Sequence, residues 1–198
     1  MRIELDKGDL LKVKTMLAGV ANGAPRVITR AINKTLTNVQ TKAAAEIGLD
    51  LNLPAKRIKQ DFALDKANYS KLSGRFVSKG GPVGLASFTG TRQVKAGVSV
   101  KVHKSKPRTT LKHAFIATAK NATNVFWRAY EGPRKKLRPG FSYGALPKIY
   151  RMPVHRLTGP RVEDELAKPK VIDAVMAHAD ERFEYNLDHE LEYELSKL

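Results

Sequence analysis

The sequence predicts an α+β fold in which an antiparallel sheet core, residues about 62–156, is packed by N-terminal helices and a long C-terminal helix. Three observations predict it. Apolar residues recur at helical spacing from Pro25 to Ile47. From Phe62 the pattern changes to period two, which is the period of a strand with one buried face. Helical spacing then returns after Pro169 and continues to the C-terminus. Segregated strands and helices of this kind point to an antiparallel sheet of four or more strands with helices laid on it.

Taken in order, Ile3 and Leu5 alternate with polar residues in Arg2 to Asp6, the pattern of a short strand or arm. Leu10, Val13, Leu17 and Val20 give a first helix that Gly19, Asn22 and Gly23 end. Pro25 suits the start of a second helix, where its missing N–H costs nothing. Ile28, Ile32, Leu36, Val39, Ala43 and Ile47 form its apolar face, and Gly48 closes it. Arg26, Arg30, Lys34 and Lys42 fall on its other faces, which reads as a solvated basic surface. Leu53-Pro54 opens a short helix through Ile58 to Asp61. It has no helix-turn-helix partner in the pattern that follows.

Phe62 and Leu64, then Phe76 and Val77, then Leu85 and Phe88 carry the strand pattern, with a turn at Gly80 to Gly84. That Gly-rich turn lacks the Gly-Lys-Ser/Thr of a phosphate loop. Val94 to Val102 is the clearest strand. Val98, Val100 and Val102 face one way, and Ser99, Lys101 and His103 face the other, giving one buried and one wet basic face. Ala114 to Thr118 and Val125 to Arg128 read as adjacent strands joined by the Asn/Thr-rich turn Asn121 to Asn124. A run from Leu146 to Val154 can pair beside them before Gly159-Pro160 breaks the chain. Pro169 to Leu198 is one long helix. Phe183, Leu187, Leu191 and Leu195 recur along it at i+4, a seam that drifts round the helix and suits contact with another subunit.

Charge narrows the function classes. The 198 residues carry a formal net charge of +17. Residues 161–198 hold 11 acids and 5 bases, a net of −6, so residues 1–160 carry +23. This divides the chain into a basic body, 1–160, and an acidic C-terminal helix, 161–198, of the same domain. Two basic loops stand out. One holds Lys104, Lys106 and Arg108 and runs through Lys112; the other holds Arg134, Lys135, Lys136 and Arg138 within a Pro/Gly-rich stretch. Loops of this composition suit phosphate contacts or the acidic faces of neighbouring proteins, and composition leaves both open. Phe126, Trp127, Tyr130, Phe141 and Tyr143 flank the second, but Phe126 and Trp127 fit a sheet better than a stacking cleft.

Catalytic constellations are thin. The five His stand in no metal-binding spacing, there is no Cys, and no Gly-x-Ser-x-Gly occurs. Asp61, Asp65 and Glu131 are among the few carboxylates before residue 161 available to a metal-dependent nuclease site. The expectation is a non-enzyme with no cofactor and no metal. No apolar run approaches the ~18 residues of a membrane span, Met1-Arg2-Ile3-Glu4 begins no signal peptide, and the lack of Cys fits cytoplasmic synthesis.

Four stretches together resemble a known family. They are Gly97-Val98-Ser99-Val100-Lys101-Val102, Ala114-Phe115-Ile116-Ala117, Val125-Phe126-Trp127-Arg128 and Met152-Pro153-Val154-His155-Arg156-Leu157-Thr158-Gly159-Pro160. In this order they resemble the minor tail protein Z family of long-tailed phages, the tail-completion proteins, from about Arg30 to the C-terminus. The resemblance implies a structural virion protein that completes the head-proximal end of the tail as a ring of six around the DNA channel. It implies other copies of itself, tail-terminator and neck proteins, and double-stranded DNA as partners. The alternative from charge alone is a free, sequence-independent nucleic-acid-binding protein.

Overall fold

A computed structural model describes residues 2–4, 11, 13, 15–17, 23–119, 121–128 and 154–197. Helices and antiparallel strands both contribute, as the α+β reading expects, and the chain divides into two compact units. The first combines residues 1–81 with 160–198, and the second is 82–159.

The first unit is built on two long helices. Helix α1 (Gly23–Asp50) buries Val27, Ile28, Ala31, Ile32, Leu36, Val39, Ala43 and Ile47. Gly48 does not end it: Leu51 N–H donates to Ile47 O at 2.9 Å, and Leu51 is fully buried. Core packing therefore carries the helix past a residue that would otherwise favour a stop. It ends ahead of Pro54, whose ring disfavours helical backbone in the residue before it. Pro54 caps α2 (Ala55–Lys59), which seals Ile58 into the core.

Three strands follow the order β1-β3-β2, where β1 is Arg2–Glu4, β2 is Phe62–Asp65 and β3 is Ser73–Ser78. Gly74 lies against α1. A Cβ there would come within 2.7 Å of Ile32 Cγ2 and 2.8 Å of Leu36 Cδ1, so only glycine lets the strand approach this closely. Asn33 fastens the β2–β3 connection by donating to Ala67 O (3.1 Å) and accepting from Ala67 N–H (2.9 Å). Phe62 and Phe76 meet edge to face at 4.9 Å. After the second unit, α3 (Val162–Leu166) buries Val162, and α4 (Pro169–Leu195) runs back along α1. The two long helices are antiparallel: Glu194 meets Arg26 and Arg30 at one end, and Lys168 meets Asp50 at the other.

The second unit holds two three-stranded antiparallel sheets. One has the order β4-β5-β6 (Arg92–Val94, Gly97–Val100, Thr109–Lys112) and the other β7-β8-β9 (Ala114–Ala119, Ala122–Arg128, Val154–Arg156). The described strands thus form three sheets of three, and no sheet of four or more strands occurs among the described residues. Leu85 and Phe88, expected in a strand, open and follow a turn of 3-10 helix at Leu85–Ser87 and pack in the core. The long strand expected from Val94 to Val102 is a hairpin folded at Lys95-Ala96, and Ser99 is buried rather than wet. The stretch from Thr109 to Lys112, expected in a basic loop, is β6. The β7–β8 turn is tighter than expected, since Thr123 and Asn124 pair with Thr118 and Ala117. Asn121 occupies the left-handed region at φ 61, which Asn tolerates well. Of the run from Leu146, only Val154 lies within the described residues, and it begins β9.

Candidate interaction surfaces

Opposite charges on the two long helices meet inside one chain. Arg30 Nη1 bonds Glu194 Oε1 at 2.9 Å and lies 3.6 Å from Glu190 Oε2. Lys34 Nζ pairs with Glu190 Oε1, and Arg26 Nη1 lies 3.6 Å from Glu194 Oε2. Both glutamates are buried, while the cations are partly exposed. Burial pushes the Glu194 carboxyl up. The bond and charge of Lys197 and the charges of Arg26 and Arg30 outweigh that and hold it below its usual range. Lys42 pairs with Glu46 on α1 itself. The expected solvated basic face of α1 is thus an ion-paired one, and two acids of the C-terminal helix, Glu190 and Glu194, are engaged within the chain. The signal is present in the sequence as charges of opposite sign at four-residue spacing, Arg26-Arg30-Lys34 on one helix and Glu190-Glu194 on the other.

The buried stripe of α4 is Val175, Ala179, Asn186, Glu190 and Glu194. The apolar seam of Phe183, Leu187, Leu191 and Leu195 lies beside it, half-buried. Tyr185 and Tyr193 stand out further, at 60% and 50% exposure. Eight acids of residues 161–198 remain exposed: Glu163, Asp164, Asp173, Asp180, Glu181, Glu184, Asp188 and Glu192.

Once the units are separated, charge sorts differently from the body-and-tail division. Residues 82–159 hold 16 Lys and Arg against one acid, Glu131, a net of +15. The other unit holds 20 against 18, a net of +2. The acidic tail balances the N-terminal segment it folds onto, and nearly all the surplus lies in the second unit.

Of the seven loop bases, Lys104, Lys106 and Arg108 are described and exposed. Arg134, Lys135, Lys136 and Arg138 lie outside the described residues, as do Tyr130, Glu131, Phe141 and Tyr143. Arg108 is held in place: Nη2 donates to Gly90 O at 2.6 Å, and Nη1 donates to Ser99 Oγ at 3.2 Å. Gly90 has φ +72, and a Cβ there would collide with the same Nη2. Lys106 and His103 border a cleft of about 300 Å³ walled by Leu85, Val100 and Leu111. Trp127 lies on β8 at 45% exposure, next to the Phe115–Phe126 ring pair, with Arg128 over Phe115 at 5.3 Å.

Of the carboxylates considered for a nuclease site, the two described ones, Asp61 and Asp65, each hold a cation. Asp61 Oδ1 accepts from Arg57 at 2.8 Å, and Asp65 Oδ2 accepts from Lys71 at 2.6 Å. The bond and charge of Lys71 hold the Asp65 carboxyl below its usual range. No helix among the described residues is long and apolar enough to cross a membrane.

A family model described as prophage minor tail protein Z (GPZ) matches residues 12–198. No curated protein matches the chain. No solved structure matches it either. The match spans nearly the whole chain and includes all four stretches that carry the resemblance. The chain belongs to the prophage minor tail protein Z family and is a structural component of the phage tail.

Proposed function

We propose that this chain completes the tail at its head-proximal end, as one subunit of a ring of six through which DNA passes when the head is joined. The observation that carries the reading is the family match over residues 12–198. The +15 surplus of the second unit supports a position beside a polyanion, and DNA in the channel is the one such a ring surrounds. In this reading the partners are other copies of the chain, the tail-terminator and neck proteins, and double-stranded DNA. The chain is made in the host cytoplasm and ends in the neck of the virion. It acts by binding and shape, without catalysis, cofactor or metal.

The half-buried seam of Phe183, Leu187, Leu191 and Leu195, with the exposed acids around it, supplies a contact for the next subunit. A closed ring repeats one pair of unlike surfaces, so one contact serves every copy. Truncation after Asp180 is a poor test of that contact, because it also removes Asn186, Glu190 and Glu194 from the fold of the first unit. Replacing Leu187 and Leu191 by Gln leaves those three in place. It should lower incorporation into tails while the isolated chain keeps its helix content.

Locating the chain in the particle tests the reading directly. An affinity label on the chain, imaged on whole virions, should lie at the head–tail junction with sixfold arrangement. Tails made without the chain should fail to join heads. A label along the tube or at the distal tip overturns the proposal. A chain absent from virions yet bound to cellular nucleic acid would favour the free nucleic-acid-binding reading, which rests on charge alone.

A further inference from the structure

We propose that the outer face of the β4-β5-β6 sheet is a sequence-blind site for the phosphate backbone of double-stranded DNA, centred on Arg92, Arg108 and Lys112. This rests on the reading that DNA passes the chain, and it names the surface that meets it. Directly paired residues in an antiparallel sheet share a face. The register places Arg92 opposite Ser99 and Ser99 opposite Thr110, while Val94, Gly97 and Lys112 form the next row. Arg92, Thr110 and Lys112 therefore point the same way, and all three are exposed. Arg108 joins them, since its guanidinium reaches Ser99 Oγ.

The opposite face packs inward at its centre, although Gln93 and Thr109 at its edges are exposed. It carries Val98 and Val100, buried to 0% and 3% exposure. It also carries Gln93, whose amide donates to Gly97 O at 2.8 Å and accepts from Ile116 N–H at 2.9 Å.

The chemistry of the outer face favours phosphate. It offers two guanidinium groups, one ammonium and a threonine hydroxyl, the side chains that contact the DNA backbone. Val94 is its one apolar side chain, and a protein interface needs larger buried anchors than that. Arg108 is exposed yet fastened to Gly90 O and Ser99, so its planar fork is set before any anion arrives. The rest of the chain serves as a control. An ordinary solvated surface mixes both signs, as the first unit does with 20 bases and 18 acids. The second unit has no acid at all among its described residues. Nothing on this face is shaped to read a base edge, so the site holds DNA loosely enough to let it slide.

The test uses the full chain and two double variants of equal charge change. Arg92→Gln/Lys112→Gln alters the sheet face, and Lys56→Gln/Lys66→Gln alters exposed positions of the first unit. Binding to a 30-base-pair duplex is titrated from 50 to 200 mM salt. The parent chain should bind with a steep salt dependence and treat two unrelated sequences alike. The face variant should bind more weakly, with a salt slope shallower by roughly two, about 0.9 for each phosphate that is no longer neutralised. The first-unit variant should keep the parent slope. Equal changes in both variants, an unchanged slope in the face variant, or strong preference for one duplex overturns the site. So does binding to polyglutamate in place of DNA, which would make the face a protein contact. A label misplaced in the virion with these slopes intact sinks the tail-completion reading and leaves this site standing. A correctly placed label with unchanged slopes does the reverse.

Discussion

Asn186 and Thr35 are 151 residues apart and meet in the buried seam between the two long helices. Asn186 Nδ2 donates to Thr35 Oγ1 at 3.0 Å, and Thr35 Oγ1 donates onward to Ala31 O at 2.9 Å. Replacing Asn186 by Ala removes that donor and leaves a gap in the seam. We expect a loss of about 1–3 kcal/mol by chemical denaturation. Thr35→Val with Asn186→Leu removes both polar groups and should recover much of it, because two apolar partners need no hydrogen bond. A double variant as unstable as the single one would contradict this.

Glu190 is the acid that Lys34 and Arg30 share. Glu190→Gln keeps the shape and removes the charge, so two cations lose a buried counter-charge. A destabilisation of about 1–3 kcal/mol is expected, less than for a fully enclosed pair because both cations reach water. A double-mutant cycle with Lys34→Met measures the coupling, and additivity would exclude it.

Stability should fall at both ends of the pH scale for different reasons. Glu194 and Asp65 are held below their ordinary values, near 4.3 and 3.9, so their contribution is complete above those values. It is lost as pH falls through their lower folded-state values. Lys168 is raised by its hydrogen bonds to Glu165 and Asp50. Its contribution is complete below about 10.4 and is lost as pH rises through its higher folded value. Melting temperature followed against pH should show both slopes. Glu194→Gln should flatten only the acid branch and Lys168→Met only the alkaline one.

Gly74→Ala places a methyl group against Ile32 and Leu36, both fully buried. Either the strand or the helix side chains must shift, and overpacking of this kind costs about 1–3 kcal/mol. Ile32→Val in the same chain relieves part of the clash and should raise the melting temperature of the Gly74→Ala variant.

The helices were legible because their signals are local. The spacing from Ile28 to Ile47, and the prolines at 25, 54 and 169, set α1, α2 and α4 to within a few residues. Gly48 misled because buried Leu51 outweighs a local stop signal. The sheets were harder. A run of alternating Val reads the same whether the chain continues or turns back, and the hairpin at Lys95-Ala96 is decided by Gly97, whose φ is +150. The loop bases stand out because they cluster in sequence. Arg92 and Lys112 share a sheet face only through β5, a relationship that no linear spacing displays. The pairing of Glu190 and Glu194 with α1 is hidden in the same way, because a net charge over residues 161–198 does not show which segments fold together.

The first unit is assembled from both ends of the polypeptide, with residues 82–159 inserted between them. During synthesis α1 emerges early, but its partner helix starts only at Pro169. At roughly 5–20 residues per second, that is a delay on the order of ten seconds, during which part of its apolar face has nothing to cover it. The inserted unit closes on itself, with Leu85 N–H donating to Leu157 O and Gly159 N–H to Val83 O, so it can fold as soon as Gly159 has emerged. The order of completion is therefore inside-out along the chain: the middle first, the ends last. A nascent chain from which Gly159 has emerged while α4 is still inside the ribosome would hold a finished basic unit tethered to an unfinished helical one, a client for a chaperone rather than a subunit ready to join a tail.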